Sequence, residues 1–162
     1  MGVADDLLEQ AVRLATSGGA NGSQIDLRRA VSSAYYALFH LLAEETSSRW
    51  QPESAATVTG IQRSLDHGLM DQVSSRFTNS HWEDWHRIQH AVPPELQRVA
   101  KAFCLLQDDR HLADYDNHEH WTRSDVEGVL KKTQGAFQDW ATIRSHPMAG
   151  NYLLSMLLGK RR

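Results

Sequence analysis

The stretch of the sequence that is richest in reactive side chains is LLQDDRHLADYDNHEHW, residues 105–121. It contains one arginine, three histidines, four aspartates, a glutamate and a tyrosine. Histidine titrates near neutral pH and can take up or release a proton, while a guanidinium can hold a phosphate through parallel hydrogen bonds. Side chains of these types, close together in the sequence, could form an active site that transfers protons. A solvated helix end is the alternative interpretation.

Arg110 is set apart from the other polar residues of this stretch by its position on the helix. The apolar residues before it step by three, four and three positions, which is helical spacing: Leu96, Val99, Phe103 and Leu106. Arg110 is the next member of the same face, so we predict that it points at the core or at a groove beside it. Because a buried arginine is costly unless it is paired, we expect Asp114, one turn later, to be its partner. The spacing leaves open whether this pair is structural or functional.

The composition of the chain is that of one globular domain. It has 162 residues, of which 41% are hydrophobic, and a formal net charge of -3. Binding to nucleic acid would therefore need a local cluster of basic side chains. The single cysteine, Cys104, excludes an internal disulfide. An acidic N-terminal stretch and the lack of an apolar run of about 20 residues predict neither a signal peptide nor a membrane span. We expect a cytoplasmic protein without membrane association.

The sequence pattern predicts helices and little else. The expected long helices cover residues 3–16, 24–47, 94–115 and 122–143, with weaker helices around 57–68 and 80–92. Ser23 is expected to cap the second long helix, and Ser124 with Glu127 to cap the fourth as a capping box. We therefore predict an all-α fold, an up-and-down helical bundle of four to five main helices over residues 1–145. An apolar and basic extension follows at residues 146–162.

A polar stripe lies beside the apolar stripe of the second long helix. The predicted core stripe consists of Leu27, Val31, Ala34, Leu38 and Leu41. The polar stripe steps by four, three and four positions: Arg29, Ser33, Tyr36 and His40. Since bundles build sites from polar side chains on inward faces, this stripe could line a site together with Arg110. A solvated flank with a half-buried tyrosine fits the spacing equally well.

Two stretches of the sequence together resemble the signatures of HEPN domains. The run DLRRAVSSAYYALFHLLAE, residues 26–44, is similar to the first signature. The run RHLADYD, residues 110–116, is similar to the second, in the subgroup whose motif reads R-x-x-A-D-Y. The distance between the two runs also agrees, and the resemblance covers roughly residues 5–145. It implies an α-helical bundle that forms homodimers.

The resemblance also implies a function. Many HEPN domains are metal-independent ribonucleases in toxin–antitoxin, phage-defence and stress systems, often beside a minimal nucleotidyltransferase that serves as the antitoxin partner. By this resemblance Arg110 would clamp the phosphate of an RNA substrate. Asp114 would orient the arginine, and Tyr115 and His118 would donate or accept protons. Contacts to RNA would come from three further residues: Arg29, His40 and His111. Neither a metal nor another cofactor is implied.

The spacing of the histidine keeps a second function open. The histidine of the nuclease motif usually follows the arginine more closely, whereas seven residues separate Arg110 from His118. The chain could instead be a catalytically inactive HEPN module that binds a nucleotidyltransferase partner, a nucleotide or RNA. Another run, RFTNSH at residues 76–81, fits the motif spacing but lies in a weakly patterned segment, so we interpret it as chance.

Other residues with chemical potential receive structural interpretations. His86 and His90 have the spacing of metal ligands on a helix, and His118 and His120 flank Glu119. No obvious further ligand completes either set, so we predict ordinary surface histidines. Three tryptophans are predicted to pack in the core or between helices instead of stacking on bases: Trp82, Trp85 and Trp140.

Overall fold

A computed structural model describes residues 2–50 and 53–159 of the chain. These residues form seven α-helices and one β-hairpin, in the order α1 Val3–Thr16, α2 Gln24–Arg49, α3 Ala55–Ser64, α4 His67–Phe77, β1 His81–Glu83, β2 Gln89–Ala91, α5 Pro94–Tyr115, α6 Arg123–Ile143 and α7 Pro147–Leu158. The predicted all-α helical bundle is confirmed as a fold class, with seven helices instead of four to five. The four predicted long helices begin and end within two residues of their expected positions. Within the described ranges, no helix has both the length and the apolar character needed to span a lipid bilayer.

Two compact units divide the chain. The first comprises Met1–Leu41 and Leu105–Phe137, and the second comprises Leu42–Cys104 and Gln138–Arg162. Three helices, α2, α5 and α6, contribute residues to both units. The domain boundary predicted after residue 145 stays a prediction. The basic end of the predicted extension, residues 160–162, lies outside the described residues.

Most buried side chains of the first unit are small or aliphatic. In α2 four members of the predicted core stripe are buried, namely Leu27, Val31, Ala34 and Leu38. The fifth member, Leu41, is half-buried. The buried residues of α1 are all alanines: Ala4, Ala11 and Ala15. Burying each of the larger aliphatic side chains contributes about 1.5–3 kcal/mol, which fixes the rotation of α2 and thereby the direction of its polar side chains.

The first turn of α6 is capped by Thr122 and Asp125. The N–H of Asp125 donates to Oγ1 of Thr122 at 3.1 Å, and the N–H of Thr122 donates to Oδ2 of Asp125 at 2.9 Å. This reciprocal pair is a capping box. The prediction that Ser124 and Glu127 form the box is wrong, because the helix already begins at Arg123 and Ser124 lies within its first turn.

The core of the second unit is aromatic. Phe77 of α4 stacks on Trp82 with ring centroids 5.1 Å apart, and it packs against Tyr152 of α7 at 5.0 Å. The Tyr152 hydroxyl shares a hydrogen bond of 2.7 Å with the hydroxyl of Ser74, and both side chains are buried. Burial raises the pKa of Tyr152, so the phenol stays neutral. The apolar part of the predicted extension therefore forms a helix that belongs to this core.

A β-hairpin stands where the sequence predicts a weak helix over residues 80–92, and that prediction is wrong. β1 and β2 pair antiparallel, with Trp82 opposite His90. Large apolar residues occur at every third position of this segment, which is also the spacing along one face of a helix: Trp82, Trp85 and Ile88. Only Trp82 is buried, whereas Trp85 and Ile88 are exposed. The interpretation of Trp85 as a core residue is wrong for the same reason.

Two short helices occupy the segment in which the sequence predicts one weak helix around residues 57–68. Ser54 caps α3 by accepting the N–H of Thr57 at 3.2 Å, and no residue of α3 is fully buried. A helix without a buried face leaves no apolar period in the sequence. Asp66 caps α4 by accepting the N–H of Leu69 at 2.9 Å. This cap falls inside the predicted helix and divides it into two.

Candidate functional site

The candidate site lies at the C-terminal end of α5, in the first unit. α5 ends at Tyr115, as predicted. The N–H of Asp116 donates to the carbonyl oxygen of Leu112 at 3.1 Å, and the chain then turns. The Asp116 carboxylate accepts the N–H of His118 at 2.9 Å, which is a turn that aspartate commonly forms with its own backbone. The turn keeps His118 beside the last residues of the helix.

The end of α5 is closed by Arg28 of α2. Its Nη1 donates to the carbonyl oxygens of Ala113 and Asp116, both at 2.8 Å, and its Nη2 donates to that of Glu119. The last carbonyls of a helix have no partner within the helix and carry a partial negative charge. A guanidinium at this position therefore satisfies them and neutralises them. Arg28 thereby fixes the turn that carries His118.

Arg110 points inward, as its place on the apolar face of α5 predicts. Its side chain is 13% exposed, and its Nε lies 3.1 Å from Oδ2 of Asp114. This Nε is buried and has no acceptor in line with its N–H within the described residues. The contact with Asp114 is therefore an electrostatic one without an aligned hydrogen bond. Nη2 donates to the hydroxyl of Tyr36 at 3.2 Å. The ion pair expected from the sequence is present.

Three tyrosine rings surround the guanidinium of Arg110. Its Cζ lies 5.7, 5.6 and 5.7 Å from the ring centroids of Tyr35, Tyr36 and Tyr115. A cation within about 6 Å of an aromatic ring face is attracted by the negative charge of the π-system. Tyr35 and Tyr36 are neighbours in α2, and their rings meet edge to face at 5.3 Å. The third ring comes from the last residue of α5 itself.

The surroundings of Arg110 favour its charged form. Burial lowers the pKa of the guanidinium, but the hydrogen bond to Tyr36 and the neighbouring Tyr115 and Asp114 raise it by more. The net pKa of Arg110 therefore lies above its ordinary value. A permanent positive charge is held behind the ring of Tyr115.

Asp114 links α5 to α2. Its Oδ1 accepts a hydrogen bond from Oγ of Ser32, while its Oδ2 faces the guanidinium of Arg110. Because the carboxylate is held from both sides, it fixes the direction of the arginine. The orienting role expected of Asp114 has a physical basis in these two contacts.

An open depression adjoins this cluster at the surface of the first unit. It is lined by Asp108, His111, Leu112, Tyr115, Asp116, Asn117 and His118. Tyr115 connects the depression to the buried cluster. The residue is 67% exposed, its ring contacts the guanidinium of Arg110, and the centroid of the His111 ring lies 5.5 Å from that of Tyr115. Two histidines and a phenol therefore border one solvent-filled space.

Five of the predicted site residues lie together at this end of α5: Arg110, His111, Asp114, Tyr115 and His118. Arg110 and Asp114 form the inner ion pair, and the other three line the depression. The remaining two predicted residues do not line it. Arg29 is exposed in α2, and the His40 ring lies 5.5 Å from that of Phe39. Their roles in RNA binding stay predictions.

Tyr36 of the predicted polar stripe of α2 contacts α5, while the other contacts come from residues next to the predicted positions. The contacts come from Arg28, Ser32, Tyr35 and Tyr36. Of the predicted stripe, Ser33 turns towards α1, where its hydroxyl donates to Gln10 at 3.3 Å. One residue corresponds to about 100° of rotation at 3.6 residues per turn. The signal that could have identified the stripe is the i, i+4, i+7 spacing of Arg28, Ser32 and Tyr35.

Metal binding finds no support in the described ranges. Within residues 2–50 and 53–159, no three His, Cys, Asp or Glu side chains are grouped so that they could hold a metal ion. His86 and His90 lie in the hairpin and not on a helix, so the helical spacing considered for them does not apply. The Nε2 of His90 instead lies 2.8 Å from Oδ2 of Asp84.

No protein-family model, curated protein or solved structure matches the chain. The side chains at the end of α5 are therefore the basis for assigning a function.

Proposed function

We propose that the chain is a metal-independent endoribonuclease of HEPN type that acts as a toxin or as a phage-defence or stress effector. The observation that carries this proposal is that His111, Tyr115 and His118 line one open depression, with the charge of Arg110 directly behind Tyr115. RNA cleavage of this kind needs two groups that exchange protons and one fixed positive charge. All three requirements have candidates within ten residues of one another along the chain.

The proposed reaction is transfer of the phosphoryl group to the neighbouring 2′-oxygen. One neutral histidine takes the proton of the 2′-hydroxyl, and the 2′-oxygen forms a bond to phosphorus. The bond from phosphorus to the 5′-oxygen breaks, and a second group, His⁺ or the Tyr115 phenol, gives its proton to that oxygen. The products are a 2′,3′-cyclic phosphate and a 5′-hydroxyl. Each proton-transfer group in such a reaction contributes about 10²- to 10⁴-fold.

Arg110 would act on the phosphate from behind Tyr115. With 13% of its side chain exposed and Nη2 donating to Tyr36, the guanidinium is not an open bidentate clamp in this arrangement. Its charge still lies against the ring of Tyr115, and Tyr115 lines the depression. It would stabilise negative charge that develops on phosphorus and hold the tyrosine ring in position.

A homodimer would complete this site. Four residues of α5 are spaced by three, four and three positions: Leu105, Asp108, Leu112 and Tyr115. The three large hydrophobic residues among them, Leu105, Leu112 and Tyr115, are exposed. This is the spacing of the seam between two packed helices. Two copies that meet along this seam would bring their depressions together. The second copy could then supply the additional positive charge that the depression of one chain does not contain.

The second candidate function, a catalytically inactive module, is favoured by two further observations. The guanidinium of Arg110 already contacts Asp114 and Tyr36, and the depression contains the carboxylates of Asp108 and Asp116. Carboxylates repel a phosphate unless a cation intervenes. Such a module would use the same surface to bind a minimal nucleotidyltransferase partner, a nucleotide or RNA.

The decisive experiment is a cleavage assay with the purified full chain, total cellular RNA and EDTA. We expect His111→Ala and His118→Ala to slow cleavage by about 10²- to 10⁴-fold each. The matched control is His120→Ala, which removes an exposed histidine that does not line the depression and should leave the rate unchanged. A substrate with 2′-deoxyribose at the scissile position should resist cleavage. A wild-type chain that cuts no RNA, alone or freed of a partner, would exclude the nuclease and leave the binding module.

A further inference from the structure

The tip of the β-hairpin in the second unit presents a tryptophan to solvent. Trp85 is 56% exposed, although its ring meets that of Trp82 edge to face at 5.4 Å. Trp82 in turn is buried and stacked on Phe77. The exposed indole therefore rests on the aromatic core of this unit and does not extend freely into solvent.

The turn that carries Trp85 is held by Asp84. Its Oδ1 accepts the N–H groups of His86 at 2.8 Å and Ile88 at 2.9 Å, and its Oδ2 lies 2.8 Å from Nε2 of His90. The backbone closes the loop as well, since the N–H of Asp84 donates to the carbonyl oxygen of Ile88 at 2.9 Å. Arg87 has a φ of 63°, in the left-handed region that residues other than glycine seldom adopt. These hydrogen bonds hold the backbone of the turn in one conformation and thereby fix the position of Trp85.

Polar groups that could recognise nucleotides lie in a depression that shares Arg76 with the groove of this indole. Arg76 lines a groove together with Trp85, and it also lines an adjoining depression with Asn79, His81 and Gln89. Glu83 lines that depression too, and its carboxylate accepts a hydrogen bond from Gln89 at 3.1 Å. In the described part of the chain, neither Arg76 nor the turn residue Arg87 forms an ion pair. Both guanidinium groups are thus available to phosphates.

We infer that this surface, which we call the Trp85 platform and define as Trp85 with Arg76, Asn79, His81 and Gln89, binds the unpaired bases of single-stranded RNA. A base would stack on the exposed indole, while Arg76 would contact the backbone phosphate. The amide and imidazole groups would reach base edges or ribose hydroxyls. Stacking on aromatic side chains combined with basic residues is the common mode of binding single strands. The choice of RNA over DNA rests on the proposed ribonuclease function, while the platform itself does not.

Arg76 and the polar groups of the adjoining depression favour a single strand over a lipid surface. A lipid-inserting loop would use Ile88, which is 55% exposed on the same tip, as much as Trp85. A membrane offers no use for the row of amide and imidazole groups in the adjoining depression. A duplex is disfavoured because its bases are already stacked on one another and cannot cover the indole.

The test measures binding of the full chain to a short fluorescent single strand of 2′-O-methyl RNA, which cannot be cleaved, by fluorescence anisotropy. We expect Trp85→Ala to weaken binding by about 10- to 100-fold, the range of one lost stacking contact. Trp85→Phe keeps a ring and should retain most of the affinity, and Ile88→Ala, the matched control, should leave it unchanged. Arg76→Gln should weaken binding and reduce its salt dependence by about one charge. An abasic strand of equal length should bind the wild type as weakly as the intact strand binds Trp85→Ala.

Two results would overturn the platform. The first is wild-type affinity in Trp85→Ala, with circular dichroism confirming that the variant is folded. The second is binding to phosphatidylserine vesicles, without binding to the strand, that falls equally in Trp85→Ala and Ile88→Ala. The proposed ribonuclease fails separately: a wild type that cuts nothing but binds the strand through Trp85 refutes the nuclease and keeps the platform. If cleavage depends on His118 but Trp85→Ala binds the strand with wild-type affinity, the platform alone is refuted.

Discussion

Arg28 of α2 donates a hydrogen bond of 2.8 Å from its Nη1 to the main-chain carbonyl oxygen of Asp116, one residue beyond the end of α5. The same nitrogen also reaches the carbonyl of Ala113 at 2.8 Å. The turn after α5 is therefore tied to a helix more than eighty residues earlier in the chain. His118, whose N–H is held by the Asp116 carboxylate, depends on this tie for its position.

Loss of Arg28 should destabilise the protein. Arg28→Ala leaves the carbonyls of Ala113 and Asp116 without their charged donor, so we expect the free energy of unfolding to fall by about 1.5–3 kcal/mol. The neighbouring Arg29→Ala is the matched control for stability, because Arg29 is exposed, and it should change stability by less than about 0.5 kcal/mol. Urea unfolding of the two variants measures the difference. Equal losses would show that the hydrogen bonds of Arg28 carry no net free energy.

Truncation of Phe103 tests which side of α5 faces the core. Phe103→Ala should lower the free energy of unfolding by about 3–5 kcal/mol, since Phe103 is fully buried and truncation leaves a cavity. Leu105→Ala, two residues later on the exposed side, should cost less than about 1 kcal/mol. Denaturant unfolding of both variants provides the comparison. A loss below 1 kcal/mol at Phe103 would mean that the inward direction of Arg110 is also misassigned.

The inward ion pair and the place of Tyr36 on the polar stripe beside it could be predicted from the sequence, while the contact of Tyr35 with Arg110 could not. The step of apolar positions through Leu106 fixes the direction of Arg110 on α5, and a buried arginine requires a partner, which Asp114 supplies. The rings of Tyr35 and Tyr36 depend on the rotation of a different helix. On α2 the predicted stripe includes Tyr36 correctly, but it contains Arg29 and Ser33 where the structure has Arg28 and Ser32 in contact with α5.

The sequence does not indicate the hairpin, because the spacing of its apolar residues is that of a helix. Trp82, Trp85 and Ile88 occur every third residue, which a helix would place on one face, but only Trp82 enters the core. What decides the local structure is Asp84, whose side chain accepts two backbone N–H groups and closes the turn. Such a turn competes with a helix through hydrogen bonds that an apolar pattern does not report. The exposure of Trp85, on which the platform depends, follows from that turn.

The Asp84 turn should respond to acid. The hydrogen bond with His90, followed by those from the Ile88 and His86 backbone, holds the pKa of Asp84 below its ordinary value despite an opposing effect of burial. A lowered folded pKa means that this stabilisation is complete above the unfolded pKa of about 3.9 and disappears as the pH falls through the folded pKa. We expect Asp84→Asn to have a lower Tm than the wild type at pH 7 and the same Tm at the acid end. Thermal unfolding across the pH range measures this.

The control for the acid response is Glu127→Gln, which changes an exposed carboxylate of α6. Its difference from the wild type should not follow the pH profile of Asp84→Asn. A gap between wild type and Asp84→Asn that stays constant down to the lowest pH would contradict a titrating role for the Asp84 carboxylate.

The proposed homodimer should depend on Leu112. Leu112→Glu places a charge in the exposed seam of α5, where two copies would face each other with like charges in contact. We expect light scattering at tens of micromolar to give the mass of a dimer for the wild type and of a monomer for this variant. Leu158→Glu changes a leucine at the end of α7 that is more exposed than Leu112, and this variant should remain dimeric. If the wild type is a monomer, the exposed seam of α5 has no role in the proposed site.

The two tyrosines that contact Arg110 should separate stability from chemistry. Tyr36→Phe removes the hydroxyl that accepts a hydrogen bond from a charged, largely buried guanidinium, so we expect a loss of about 1.5–3 kcal/mol in unfolding free energy. Tyr115→Phe keeps its ring over Arg110 and loses only an exposed hydroxyl, so its stability should change by less than about 0.5 kcal/mol. Cleavage assays with these variants and His118→Ala then identify the acid. A rate loss in Tyr115→Phe assigns proton donation to the phenol, whereas wild-type cleavage by Tyr115→Phe together with slowed cleavage by His118→Ala leaves both proton transfers to the histidines. Full activity in both variants would show that neither group donates the proton and would reject the proposed chemistry of the depression.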